Sequence, residues 1–462
     1  MLPWLGWERL VFASASIGFH RFGLGPRSGD LSLLGDDPRG VLLDELDEPG
    51  IALLRGGDLL SAAEIITERH RQDRLPRGYL AAAIRRLSFF VPIDRRVFEA
   101  EVQARIDRAL IVRTGLVERL VTFWMNHFVV ETGANGTVRR TAAAFEREAI
   151  RPFVLGRFED MLVAATRHPA MLSYFNSAIS VGPNSVIGRQ SGRGCNENHA
   201  RELLELHTVG VGAGYSQADV TALSKVLTGW SYRGASGDDE LADDYGCFWF
   251  VADAHEPGGQ RVMDVDYPQT GLDQGEAVLS TLAAHEATAR RIAWKLVRHF
   301  VSDHPAPDIA EEVTAVFLES GGDLKACVRT LLLHDKAWGP VVKIKSPGEF
   351  LWSALRALGL GIDVAQVARV LSALGQPLWN PHAPNGFPDH ADSWLAGNAM
   401  TDRLDFAEEL AARVRIDLDP LALTDAVLGK RCSASTREHI ARAQTRSQAL
   451  ALLLMSPEFQ RR

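Results

Sequence analysis

Along most of the chain, apolar residues recur at mixed spacings of three and four, the rhythm that paints one stripe on an α-helix. It predicts helices over about 97–123, 156–167, 199–209, 217–228, 275–301, 308–319, 324–334, 347–360, 364–374, 402–414 and 436–455. Ser216, Asp308 and Thr401 stand where helices should begin, with side-chain oxygens able to accept from first-turn N–H groups. Gly210, Gly229 and Gly375 stand where helices should stop, because glycine tolerates the left-handed turn that ends them. Two segments break the rhythm. Residues 231–274 are rich in Gly, Asp and aromatics, and hold the runs Cys247-Phe-Trp-Phe-Val251 and Arg261-Val-Met-Asp-Val265. They predict two short strands joined by a loop, a small β-hairpin insertion at about 246–266. Residues 375–397 carry Pro377, Pro381, Pro384 and Pro388, too many for a helix. Long irregular loops in compact proteins are more often functional than idle. The expected fold is mainly α: a multi-helix globular bundle forming one large domain over 17–455, with 231–274 inserted and 375–397 as a Pro-rich loop.

Composition narrows the function classes without naming one. The 462 residues are 46% hydrophobic and 23% charged, with a formal net charge of −8. That balance suits a soluble protein and argues against an electrostatically driven partner such as nucleic acid or an anionic membrane. No apolar run approaches the roughly 18 residues of a membrane span. Cys195, Cys247, Cys327 and Cys432 are scattered without metal-ligand spacing, which reads as isolated thiols and leaves only a Cys195–Cys247 bridge open. The first residues, Met1 to Arg9, lack a basic start, and Glu8 and Arg9 interrupt their apolar stretch, so a cytoplasmic location is the default expectation. No phosphate-binding Walker loop, dinucleotide fingerprint, GxSxG elbow, kinase set or CxxCH is present. Nucleotide-dependent enzymes, α/β-hydrolases and attached haem are thereby disfavoured.

Several phrases stand out as a set: Gly18-Phe-His20-Arg21-Phe-Gly23-Leu-Gly25-Pro, Phe123-Trp124-Met-Asn126-His127-Phe128 and Leu227-Thr228-Gly229-Trp230. With them come Lys295-Leu, Phe300-Val-Ser-Asp303, Gly321-Gly322-Asp323, Lys345-Ser-Pro347 and Arg403. The most specific is Asn196-Glu197-Asn198-His199-Ala-Arg201-Glu202-Leu-Leu-Glu205-Leu-His207-Thr208-Val-Gly210. Together they resemble the large bacterial family of unknown function numbered eighteen hundred, from about residue 17 to near the C-terminus. The resemblance implies a largely helical protein and no particular reaction; it also makes export possible, since many members resemble exported proteins. Two positions depart from the family pattern. His199 stands where Tyr is usual, and Glu256 follows His255 where Asp is usual, and either change alters a potential ligand set.

The 196–210 phrase is the expected site. On a helix from Asn198, residues 198 and 205 lie seven apart on one line, with Glu202 about 60° from Glu205. Asn198, Glu202 and Glu205 then form a polar stripe beside apolar Leu203 and Leu206. Two carboxylates on adjacent turns must repel, share a proton or hold a cation. The plainer alternative is salt bridging to Arg201 and remote arginines. His207, five residues past Glu202, is about 140° away and shares its face only if the helix breaks. His127 with Asn126 closes a strongly apolar helix, where a lone imidazole is either a hydrogen-bonded core group or a substrate-orienting one. His255, beside Glu256 after a strand, is either solvated or a base or ligand. His20-Arg21 and the Gly23–Gly25 turn read as structural. Lys295, Arg298 and His299 give one helix a basic face, and Lys295 could pair with a glutamate of the phrase.

From these residues the expectation is a hydrolase-type enzyme acting on a polar or glycan-like substrate. Its catalytic groups would be Glu202, Glu205 and His127; Glu202, His207 and His255 could hold a divalent metal. Asn126, Asn198, Arg201, Trp230 and Lys295 would contact substrate. Trp379 and Trp394, flanking Asn385–His390, could supply a stacking lid. The alternative is a binding or assembly protein whose polar phrase is a structural hydrogen-bond network.

Overall fold

The computed structural model describes residues 15–35, 37–56, 58–74, 92–236, 241–395, 397–415 and 418–462. Residues 1–14, which include the Met1–Arg9 stretch behind the cytoplasmic expectation, lie outside them. Helices dominate and only two small two-stranded sheets occur among the described residues. Buried apolar side chains group into two main cores. The first gathers helices Leu116–Met125, Gly136–Phe145, Phe158–Arg167, Gln217–Val226, Leu272–Ala284 and Glu286–Phe300. The second gathers Pro347–Leu358, Val364–Ala373, Ala399–Arg413, Pro420–Leu428 and Arg446–Met455. Glu286–Phe300 shows why such segments are helical. Ala289, Ile292, Ala293, Leu296, Val297 and Phe300 are buried at spacings of three, one, three, one and three, leaving charged residues on the other side.

Three long predicted helices are each divided, and each division has a local cause. The segment expected as one helix over 97–123 is two, Ile93–Ile111 and Leu116–Met125. Between them Gly115 adopts φ +85°, where a Cβ would meet Leu24 at 2.6 Å. The buried Arg356 guanidinium donates to the carbonyls of Ala109, Val112 and Arg113 at 2.8–3.0 Å, satisfying the acceptors that the interrupted helix exposes. The 275–301 segment breaks at His285, whose Nδ1 accepts from the Ala287 N–H at 3.0 Å and so caps the second helix. The 436–455 segment is divided into Ala434–Ala441 and Arg446–Met455, the second capped by Thr445.

The β-insertion also differs in pairing. Phe248–Phe250 does not pair with the strand near 261; it pairs antiparallel with Trp230–Tyr232. Gln260–Val262 pairs instead with Val265–Tyr267. Trp230 directly follows the Gly229 helix stop, so the chain reverses early enough to supply a closer partner. All four cysteines are free. His20 and Arg21 are structural, as expected: His20 Nε2 meets the Val427 carbonyl at 3.1 Å, and Arg21 donates to the carbonyls of Ala337, Gly339 and Pro340. Among the described residues, no helix is long and apolar enough to cross a membrane.

Candidate active site

Much of the 196–210 phrase is spent on structure. Asn196 donates to the Phe175 carbonyl at 2.8 Å and accepts from the Asn198 N–H at 2.9 Å. Glu197 accepts from Gln217 and Thr221, while Arg201 bonds Gln217 at 2.9 Å and pairs with Glu197 at 3.3 Å. Asn198 is exposed and gives its backbone to this arrangement. Arg201 also approaches Glu205 at 3.8 Å. These residues pin the phrase to the helix Gln217–Val226.

The break in the helix is real. Asn198–Glu202 is α-helical, but Leu203–His207 winds as a π-helix, with hydrogen bonds one residue longer. Thr208 and Gly210 then close the turn by bonding the carbonyls of Leu203 and Leu204. The wider turn swings His207 inward to full burial, while Glu202 and Glu205 remain half-buried. Such π turns occur often at functional sites.

His207 joins a buried group of imidazoles. His127 Nε2 lies 3.0 Å from the His207 carbonyl. A carbonyl only accepts, so His127 carries its proton on Nε2 and presents a lone pair at Nδ1. Lys295 Nζ, on helix Glu286–Phe300, reaches that Nδ1 at 2.8 Å. The His127 ring is wedged edge-on against Trp124, Phe128 and Phe158, which fixes its plane. His199 Nδ1 meets Ser177 Oγ at 3.0 Å, and its ring stacks on Phe175. Two buried ring nitrogens, His199 Nε2 and His207 Nε2, have no hydrogen-bond partner among the described residues.

Burial and mutual repulsion disfavour the charged forms of these groups. Burial, then Lys295 and His207, hold His127 well below the usual imidazole range; burial, then His199 and Lys295, do the same to His207. Burial alone brings His199 down to about 4. Lys295 is lowered to about 7 by burial and by Arg291 and Arg298, with Asp389 opposing. An amine that is half neutral near pH 7, held against a lone pair, can take a proton or attack a carbonyl. Glu202 moves the other way: burial and then Glu205 raise it, and it accepts no hydrogen bond from a described residue.

The expected constellation therefore assembles only in part. His127, His207 and Lys295 come together, and Lys295 pairs with His127, not with a glutamate of the phrase. No hydrogen bond or ion pair among the described residues links Glu202 or Glu205 to that group. The metal set of Glu202, His207 and His255 is not formed: among the described residues no three His, Cys, Asp or Glu side chains could share an ion. His255 is instead a buried turn residue, its Nδ1 donating to the Thr228 carbonyl at 2.9 Å. Trp230 is fully buried, with Arg167 over its ring at 5.3 Å, and offers no face to a substrate. Asn126 bonds both the N–H and the carbonyl of Phe387, at 2.7 and 2.9 Å, and so fastens the Pro-rich loop.

A polar seam that sequence reasoning missed continues from Lys295. One turn along its helix, His299 Nδ1 lies 3.4 Å from Asp389 and its Nε2 lies 3.3 Å from the Arg119 guanidinium. Arg119 pairs with Glu349 at 2.8 Å, and Glu349 pairs with Arg462 at 2.6 Å. The available signal was Arg119 itself, set with Glu118 inside the otherwise apolar run 116–125. The seam ends at a cavity of about 140 Å³ between the two cores, roofed by residues 376–389.

Fold and site together define a helical protein with a lysine–imidazole centre where a π turn meets two helix faces. The chain belongs to the family described as protein of unknown function DUF1800, whose model matches residues 18–461. No curated protein and no solved structure matches it.

Proposed function

We propose that the protein is an enzyme of hydrolytic, acid–base type in which the Lys295 amine moves the proton and His127 positions it. The observation that carries this reading is the 2.8 Å contact between Lys295 Nζ and the His127 lone pair, in a group with two unused imidazole nitrogens. Neutral Lys295 gives one N–H to His127 and keeps its own lone pair free for water or a substrate hydroxyl. Once protonated, it still donates to Nδ1, and Asp389 lies near enough to favour the charge. Proton transfer by a placed side chain is worth about 10²–10⁴ in rate, most when its pKa lies near the working pH. Half-buried Glu202, with its raised pKa, is the acid on the outer side of the π turn.

Aryl esters, aryl glycosides and aryl phosphates test the proposal as three hydrolysable classes. One class should be turned over with an acid limb near pH 7, and Lys295→Met should lose at least 100-fold. His127→Ala should displace the limb. Undiminished turnover by Lys295→Met overturns the proposal, as does no turnover of any class. A second reading, a binding or assembly protein, draws on the closed network of Asn196, Glu197, Arg201 and Gln217. Under it, the phrase holds helices together and Lys295→Met changes stability alone.

A further inference from the structure

The cavity at the end of the seam has walls unlike those of the lysine centre. Trp352, Trp379, Met125, Val129 and Leu371 supply its apolar lining. Trp379 is held in place at a cost. It has φ +48°, a left-handed conformation that a bulky residue rarely adopts. Its carbonyl accepts from the Thr132 N–H at 3.0 Å, its indole donates to Glu146 at 3.1 Å, and Arg105 lies 4.9 Å over its ring. Strain of this kind persists at ligand clamps because the surroundings over-determine it.

Charge in the wall is already spoken for. Arg119 and Arg462 share Glu349; Asp389 faces His299; Arg105 pairs with Glu146 and Glu118 with Arg151. An ionic ligand would leave a buried charge without a counterion, which is strongly unfavourable. In the charged part of the wall, Arg119 Nε is buried and has no hydrogen-bond partner among the described residues. The volume, about 140 Å³, matches the apolar cavities of about 150 Å³ that hold one benzene ring.

We infer that this cavity binds a neutral, single-ring aromatic molecule bearing one oxygen acceptor, its ring between the tryptophans and its oxygen toward Arg119. The latch between Asn126 and Phe387 would be its gate, and Gly386 makes the latch possible, since a Cβ there would meet Asn126 Oδ1 at 2.5 Å. Lys295 and His127 do not line this site, which shares only Asp389 with the catalytic reading.

Titration of the full chain with acetophenone, benzoate and benzylamine, read by tryptophan fluorescence and ligand-observed NMR, tests the inference. Acetophenone should bind with a sub-millimolar Kd and at least tenfold more tightly than either charged analogue. Met125→Trp, which fills the cavity, should abolish binding, and Trp352→Leu, which removes one wall, should weaken it about tenfold. Lys295→Met should bind acetophenone as the wild type does, so a failure of the catalytic reading leaves this result standing. No acetophenone binding at 1 mM, equal binding of benzoate, or unchanged binding by both cavity variants would overturn the assignment.

Discussion

Glu349→Gln isolates the charge that ties the two cores together. Glu349 is buried, with one oxygen 2.8 Å from Arg119 and the other 2.6 Å from Arg462. Its second oxygen also accepts the Ser346 N–H at 2.8 Å, closing the cap of helix Pro347–Leu358. Glutamine can keep that cap, so the substitution removes the charge more than the shape. Burial pushes the Glu349 carboxyl up, but Arg119 and Arg462 outweigh it and bring it from 4.5 to about 2. At about 1.36 kcal/mol per pKa unit, that displacement corresponds to roughly 3.4 kcal/mol. Breaking a buried ion pair by removing one partner costs about 3–5 kcal/mol, so the two routes agree. An unfolding entropy of about 2.1 cal/mol/K per residue gives roughly 1 kcal/mol/K for this chain, hence a Tm lowered by about 3–4 °C. The sign with pH follows from a depressed folded-state pKa: the stability is fully present above about pH 4.5 and lost as pH falls towards 2. Calorimetry of wild type and variant at pH 7 and pH 3 measures both effects. A gap below about 1 kcal/mol at pH 7, or the same gap at pH 3, would refute the reasoning.

Other consequences are as direct. Glu202→Gln should raise the Tm slightly at pH 7, because it relieves repulsion from Glu205 three residues on, a like-charge pair costing about 0.2–0.5 kcal/mol. A raised carboxyl makes the wild type gain on the variant as pH is lowered through the folded pKa, so the gap should shrink in acid. Dialysis against EDTA should leave the Tm unchanged, because no described set of three ligand side chains converges; a fall of several degrees on chelation would contradict this.

The helical class and most helix positions were legible because burial in this chain follows the three-and-four rhythm, as in helix Glu286–Phe300. The breaks were not. Gly115 looks like any helix glycine until Leu24 and Arg356, remote in sequence, are placed beside it. The strand pairing was misjudged because 261–265 seemed the nearer partner in sequence, whereas Trp230–Tyr232 lies closer in space. At the site, the 196–210 phrase, His127 and Lys295 were all singled out, and a helix break was named only as the condition for His207 to share the face of Glu202. Their grouping was not legible: helical spacing places residues on one helix face, while the Lys295–His127 contact joins residues 168 positions apart. The seam through Arg119, His299, Glu349 and Asp389 escaped for the same reason. Arg119 stood out within its apolar run and His299 on its basic helix face, but nothing in the sequence joins either to Glu349 or Asp389.

The central claim is that Lys295 is a neutral amine poised on His127. Competitive acetylation of the intact protein across pH 6–11, followed residue by residue by mass spectrometry, tests it most directly. Lys295 should reach half-maximal reactivity near pH 7, and at pH 7 its neutral fraction should exceed that of an ordinary lysine by about a thousandfold. Titration of Lys295 near pH 10 would contradict the account.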